Sequence, residues 1–175
     1  DVADTQRDLA ALQTLFDNNA TGAIGAQQLR DFLVSTFGGY GGLYSTGASV
    51  QTVNIAAALL TAWTAAFPAS GTTPDAGALK QVAVTVAGTY AVEVQATATA
   101  TAGRTVTLEL RKNGVLVTGT RVSQKFAAAG DVESVSLFAI VTLAAGDLLT
   151  VYASADVDAT SYTVQQGQFT VRRVG

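Results

Sequence analysis

The sequence contains no histidine, no cysteine and no methionine, and only 2 of its 175 residues are proline. Without His and Cys, the chain lacks the residues of Ser-His-Asp and Cys-His nucleophile systems, of zinc sites and of thiol chemistry. We therefore expect no enzymatic activity, no cofactor and no metal. The scarcity of proline, together with 49% apolar residues, is typical of a folded chain rather than a disordered one.

Charge is also scarce, because only 13% of the residues are charged and the net charge is −3. The basic residues form no cluster, which argues against nucleic acid and anionic membranes as partners. The longest strongly apolar stretch, Ile55 to Phe67, contains two threonines and is too short to cross a bilayer. We expect neither nucleic acid nor a membrane to be a partner of this protein.

Up to about Phe37, the hydrophobic residues recur with the period of an α-helix. Two segments separated by turn-forming residues each carry one apolar stripe, and the stripes consist of Leu9, Leu12 and Leu15, then Leu29, Phe32 and Leu33. Two helices of about three turns cannot enclose a core alone. The stripes therefore need a partner, which is either the rest of this chain or another protein.

The segment between the two predicted helices, Asp17 to Gln28, imitates the spacing of an EF-hand loop. Calcium binding in such a loop needs several carboxylates and usually a bidentate Glu at position twelve. Here position twelve is Gln28, and Asp17 is the single carboxylate of the loop. We therefore interpret this segment as a turn between helices.

The glycine-rich segment Gly38 to Gly42 is predicted to end the second helix and to form a flexible joint. Beyond it the hydrophobic period changes from 3.6 to 2, with about eight alternating segments and an Asn113-Gly114 hairpin signature. We therefore divide the chain into a helical arm with its joint (1–41) and an antiparallel sandwich or barrel (42–175).

The predicted strand from Ser134 to Val141 is apolar on both faces, because Phe138 and Ile140 alternate with the inward set. Such a strand is expected to be covered on both faces. The cover is either a loop or the N-terminal helices, or else a neighbouring subunit. Exposed apolar patches usually mark interfaces, which favours the neighbouring subunit.

Other candidate sites have simpler interpretations. The acidic pairs Asp131/Glu133 and Asp156/Asp158 could imitate glycosidase carboxylates, but aromatic residues for sugar stacking are few, and surface charge explains them better. The glycine-rich segment lacks the phosphate-binding patterns, and Arg172-Arg173 is interpreted as a solvated spot.

Several segments in order resemble the jelly-roll domain shared by tumour necrosis factor-like cytokines and the globular heads of complement-type trimers. They are Val84 to Val92, Leu110 to Gly114, Val135 to Tyr152 and Phe169 to Arg172. The resemblance implies a mainly β fold, an antiparallel jelly-roll sandwich with a short N-terminal helical arm, and a homotrimer. Phe138, Ile140 and Tyr152 would lie at the trimer interface.

The N-terminal part is similar to the leader of phage and prophage proteins that carry this jelly roll, in the segments Leu9 to Leu12, Asp17 to Ile24, Gln28 to Asp31 and Gly41 to Tyr44. That similarity implies a structural virion protein on the outer surface of the capsid, either a decoration (cement) protein or a head fibre. Its partner would be the major capsid protein or another virion protein. The docking residues would be Leu9, Leu12, Leu15, Leu29, Phe32 and Leu33.

Two other functions stay open at this point. In the first, the protein is a tail-fibre or host-receptor-binding tip, and the outer loops Ala127 to Asp131 and Asp156 to Ser161 contact a cell surface. In the second, which is the least favoured, an acidic pair gives the protein depolymerase activity.

Overall fold

The computed structural model describes Phe32 and residues 38–174. Residues 38–174 form thirteen β-strands and no helix, and every strand pairing is antiparallel. The strands are β1 (Tyr40–Tyr44), β2 (Ser49–Val53), β3 (Ala58–Leu59), β4 (Ala65–Ala66), β5 (Thr72–Asp75), β6 (Gln81–Val84), β7 (Gly88–Ala100), β8 (Arg104–Lys112), β9 (Val115–Leu116), β10 (Val122–Phe126), β11 (Glu133–Leu143), β12 (Leu148–Ala155) and β13 (Thr160–Arg173).

The strands form two sheets that pack face to face. Sheet I has the order β11-β7-β13-β1-β4, with β2 beside β13, and sheet II has the order β10-β8-β12-β6-β5, with β3 on β12 and β9 on β8. From β10 onwards, successive strands alternate between the two sheets, which is the connectivity of a jelly roll rather than of a meander. The predicted mainly β, antiparallel fold is confirmed for the described part of the chain.

The core lies between the sheets and follows from the period-2 pattern. Alternate residues along β7, β8, β11, β12 and β13 are buried, so each strand presents its apolar set to the other sheet. The largest fully buried side chains are aromatic and contribute to one continuous cluster: Trp63, Tyr90, Phe126, Tyr162 and Phe169. Burying an apolar side chain of this size stabilises the fold by roughly 1.5–3 kcal/mol.

The predicted hairpin at Asn113-Gly114 is confirmed. It joins β8 to β9 through two residues that both have positive φ, 51° for Asn113 and 80° for Gly114. The Asn113 amide also donates to Oδ1 of Asp147 at 2.7 Å, and its oxygen accepts from the amide of Leu148 at 2.8 Å. The hairpin is therefore fastened to the turn that precedes β12.

That turn, Ala144 to Asp147, forms where the sequence predicts it. The Ala144 amide donates to Oδ2 of Asp147 at 2.8 Å, and the amide of Asp147 donates to the carbonyl of Ala144 at 3.1 Å. The hydrogen bond from Ala144, followed by that from Asn113, holds the pKa of Asp147 below its ordinary value. The Asp147 carboxylate thus stabilises the turn in its charged form.

The glycine-rich segment differs from its prediction as a flexible joint. Tyr40, Gly41 and Gly42 belong to β1, which pairs with β13 along its whole length. A Cβ atom on Gly41 would collide with Oγ1 of Thr72, and one on Gly42 would collide with the carbonyl oxygen of Phe169. Glycine is needed at these positions because neighbouring atoms leave no space for a side chain. This close packing fixes the segment in place, whereas a joint would be flexible.

The sandwich has two distinct ends. At one end, which we call the N-terminal end, Gly39 accepts a hydrogen bond from the amide of Arg173 at 2.6 Å, close to the start of β7 and the end of β11. At the opposite end, the loop end, four connections meet: 54–57, 101–103, 127–132 and 156–159. The first residues of the sandwich and these four loops therefore lie at opposite ends.

Candidate interaction face

The outward face of sheet I combines the exposed apolar residues of β11 with aromatic residues of β1. The strand register fixes which side chains are neighbours across this face. One row contains Ile140, Ala91, Arg172 and Tyr40, and the next row contains Phe138, Glu93, Thr170 and Gly42. We call this surface the sheet I face.

Phe138 and Ile140 are the large exposed apolar side chains of β11 on the sheet I face. Their exposed fractions are 65% and 56%, and no loop among residues 38–174 covers them. Tyr40, at the other side of the face, is 48% exposed. The alternative prediction that a loop of the sandwich itself covers Phe138 and Ile140 is therefore wrong.

A groove of about 580 Å³ crosses the sheet I face between these two sides. Tyr40, Phe67 and Pro68 line one wall, and Phe138 lies at the other. The floor between them carries one negative and one positive side chain, Glu93 and Arg172. The groove is therefore apolar at its walls and electrically balanced at its floor, a combination that suits a protein surface of similar composition.

A second hollow of about 460 Å³ adjoins this groove and shares Phe67 and Gln168 with it. The rings of Tyr44 and Phe67 pack against each other at its edge, with centroids 4.7 Å apart. Its remaining lining consists of Ser45, Thr46, Gly47, Gln95, Thr97, Gln165, Gln166 and Gly167, so no charged side chain faces it.

Tyr152 does not lie with the other two predicted interface residues. It belongs to β12 of sheet II, where Val151 and Ala153 point into the core and Tyr152 points outward. The guanidinium carbon of Arg111 lies 4.0 Å from the centroid of its ring. Phe138 and Ile140 are thus brought together on one sheet, whereas Tyr152 is on the opposite side of the sandwich.

Beside Tyr152, the outward face of sheet II holds a buried carboxylate, Glu109, that no local sequence pattern indicates. Glu109 is fully buried and paired with two arginines. Oε1 lies 2.6 Å from Nη2 of Arg111, and Oε2 accepts from Nε of Arg121 at 2.8 Å. Burial alone would raise the pKa of Glu109, but the hydrogen bonds from Arg121 and Arg111 outweigh it and hold the pKa below its ordinary value.

Most of the predicted docking residues fall outside the described part of the chain, as does the EF-hand-like segment Asp17 to Gln28. Only Phe32 among the six lies inside it, and its side chain is 36% exposed. Leu9, Leu12, Leu15, Leu29 and Leu33 are outside.

The acidic pairs shape loops at the loop end. Asp131 accepts from the amide of Ala128 at 2.8 Å, and Asp158 accepts from the amide of Ile55 at 2.8 Å. The described residues contain no group of three or more acidic side chains able to hold a metal ion. Nor does the described region contain a helix long and apolar enough to cross a membrane.

Comparison with solved structures identifies the fold. The chain is similar to the Eiger TNF of S. frugiperda, with a TM-score of 0.54 and 14% identity over 79% of this chain and 92% of that one. It is similar to murine APRIL with a TM-score of 0.51 and 13% identity over 78% of this chain and 99% of that one. The predicted tumour necrosis factor-like jelly roll is therefore confirmed, and likeness at these identities concerns the fold alone.

No protein-family model matches the chain. No curated protein sequence matches it either.

Proposed function

We propose that this protein is a non-enzymatic structural virion protein, which assembles as a homotrimer through the sheet I face and stabilises the capsid from its outer surface. The N-terminal segment docks on the major capsid protein or another virion protein, and the jelly roll forms the exposed knob. The main support for the proposed trimer is that Phe138 and Ile140 are exposed on the same face as a groove with apolar walls.

The sheet I face offers two different surfaces to a second copy. One is the β11 side with Phe138 and Ile140, and the other is the wall formed by Tyr40, Phe67 and Pro68. When the first surface of one subunit packs on the second surface of the next, the contact is heterologous, and it closes into a ring at a rotation of one third of a turn. Glu93 and Arg172 lie between these two surfaces, on the floor of the groove.

The positions of the two ends of the sandwich support the proposal that the protein stands on a capsid with its loops outward. Gly38, where the described sandwich begins, lies at the N-terminal end, whereas the four outer loops lie at the loop end. A trimer would thus point three N-terminal segments to the shell and three sets of loops to solvent. Once one of three contacts on a rigid trimer has formed, the other two are held near their sites at a high effective concentration. Three individually weak contacts therefore give stable attachment, and no catalytic step is needed.

The trimer is tested by measuring the mass of the full chain by light scattering at micromolar concentration, with Phe138→Asp, Ile140→Asp and their double variant alongside. We expect a mass of three chains for the unaltered protein and dissociation in the double variant, because a charge in a desolvated contact is costly. Val115→Asp is the matched control, since Val115 is 71% exposed on the hairpin of sheet II. A monomeric unaltered protein, or a double variant that stays trimeric, would show that the assignment is wrong.

The capsid assignment is tested separately by deleting the residues before Gly38. We expect the truncated protein to remain a trimer but to stop binding virus particles that lack the protein. A truncated protein that still decorates particles would contradict docking through the N-terminal segment. Binding lost together with the trimer would instead assign the deleted segment to assembly.

A tail-fibre or receptor-binding tip is the second candidate, and the position of the loops favours it. The loops Ala127 to Asp131 and Asp156 to Ser161 lie at one end, far from Gly38, where a cell surface could reach them. The number of copies per particle separates the candidates, because decoration needs hundreds of copies and a tail or fibre needs few. Particle imaging with a label on the loop end would count them.

A further inference from the structure

We infer that the hollow beside Tyr44 and Phe67 is a binding site for a neutral saccharide. This inference does not rest on the capsid assignment or on the trimer, because the hollow is formed within one chain and no β11 residue lines it. The hollow shares one side chain, Phe67, with the proposed trimer contact. Its volume of about 460 Å³ falls within the range of small-molecule sites, about 300–1,000 Å³.

An irregularity in β13 forms the hollow. The pairing of β13 with β7 shifts between Val164 and Gln166, so that Gln165 and Gln166 both line the same cavity instead of alternating between faces. Neither amide has a hydrogen-bond partner among the described residues. Two planar amides, each with two donor hydrogens and one acceptor oxygen, are therefore available to a ligand.

Gly167, the next residue, forms part of the backbone lining of the hollow and packs closely against the core. A Cβ atom there would lie 3.1 Å from the carbonyl oxygen of Gln95 and 3.1 Å from the ring of Trp63, both tighter than ordinary contacts. The backbone is held in place, because the amide of Ser45 donates to the carbonyl of Gly167 at 3.0 Å. Glycine at position 167 thus lets the β13 backbone pass close to the buried Trp63 ring beneath the hollow.

The lining determines the class of ligand. Amides and hydroxyls pair with both the donor and the acceptor side of sugar hydroxyl groups. The Tyr44 and Phe67 rings, whose planes are tilted by 36°, give an apolar wall for the C–H face of a pyranose ring. No charged side chain lines the hollow, so nothing there neutralises a phosphate, a carboxylate or an ammonium group. The expected ligand is a neutral hexose or N-acetylhexosamine unit of a glycan.

The experiment is saturation-transfer NMR on the full chain with the methyl glycosides of glucose, galactose, mannose, rhamnose and N-acetylglucosamine, each at millimolar concentration. We expect transfer to at least one of these probes and none to glucuronic acid. Gln165→Ala and Gln166→Ala should each weaken binding about three- to tenfold, as loss of a hydrogen bond does. Gln81→Ala is the matched control, because Gln81 lies on the outward face of sheet II, and it should leave binding unchanged.

Light scattering on the same samples keeps the outcomes distinguishable. A trimer that binds none of the five neutral probes overturns the saccharide site and leaves the assembly untouched. Binding that survives in both glutamine variants places the ligand elsewhere and also overturns it, as does binding of glucuronic acid alone. Saccharide binding by a monomer upholds the site while contradicting the trimer.

Discussion

Arg121 fastens the connection that precedes β10 onto Glu109, with its Nε donating to Oε2 at 2.8 Å. From the other side, Nε of Arg111 donates to Oε1 at 2.7 Å, and the Arg111 guanidinium covers the ring of Tyr152. A single buried carboxylate thereby joins β8, β12 and the segment leading to β10 on the outer face of sheet II.

We predict that Glu109→Gln lowers the free energy of unfolding by about 1.5–3 kcal/mol, the range for hydrogen bonds to charged groups. The variant keeps the shape of the side chain but leaves two arginines without their counter-charge. Urea unfolding followed by circular dichroism measures the change. Glu133→Gln is the control, because Glu133 makes no ion pair among the described residues, and its effect should stay within about 0.5 kcal/mol. Equal effects of the two variants would contradict a specific role for Glu109.

The pH dependence of stability follows from the same carboxylates. The pKa values of Glu109 and Asp147 are lower in the folded protein than their ordinary values of 4.5 and 3.8. Their contribution is therefore fully present above those ordinary values and is lost as the pH falls through the folded values. We expect the melting temperature to drop below about pH 4.5 and the drop to be smaller in Glu109→Gln. An identical pH profile in this variant would show that Glu109 is not linked to folding.

Two buried tyrosines of sheet I are predicted to respond differently to loss of their hydroxyl groups. The hydroxyl of Tyr90 donates to the carbonyl of Val86 at 2.6 Å, so Tyr90→Phe should destabilise the fold by about 0.5–1.5 kcal/mol. The Tyr162 hydroxyl is buried with no hydrogen-bond partner in the described part of the chain, and burial raises its pKa. Tyr162→Phe should therefore be neutral or stabilising. A substantial loss of stability in Tyr162→Phe would refute this, and denaturant unfolding of both variants provides the comparison.

Gly42→Ala should prevent correct pairing of β1 with β13, because the added methyl group has no space beside the carbonyl of Phe169. We expect a loss of more than about 2 kcal/mol, as for other overpacked sites, and faster hydrogen exchange of the β1 amides. Gly47→Ala is the control, since a Cβ atom at Gly47 meets nothing within 4 Å. A flexible joint at Gly42 would instead tolerate alanine as well as Gly47 does.

Much of the fold could be predicted from the sequence, because its strands are long and strictly alternating. The pattern from Tyr90 to Thr97 lies in β7, and the pattern from Val135 to Leu143 lies in β11. The short strands β1 to β6 were harder to predict, because two to five residues hold too few alternations to establish a period. The glycines of β1 were interpreted as a flexible joint, because the sequence does not show how close another backbone comes.

The candidate site could be predicted only in part. The apolar residues Phe138 and Ile140 stand out because they break the alternation of their own strand. The sequence around Tyr152 is similar in composition to that around Phe138 and Ile140. However, its partner Arg111 comes from another strand, and only the register of β8 with β12 places the two in contact. The groove and the hollow draw residues from β1, β7, β11, β13 and the β4–β5 connection, which no local pattern relates.

The sequence by itself determined which side chains are available for chemistry. Because it has no histidine and no cysteine, the chain cannot form His- or Cys-based nucleophile systems or carry out thiol chemistry, whatever its fold. It also determined the strand-rich sandwich, because side-chain alternation is a local property of the chain. Only the tertiary structure decided which outward side chains share a face, since neighbours across a sheet come from strands that are distant in sequence. The pairing of Glu109 with Arg121 and the distance between Gly38 and the outer loops depend in the same way on the packing of the whole sandwich.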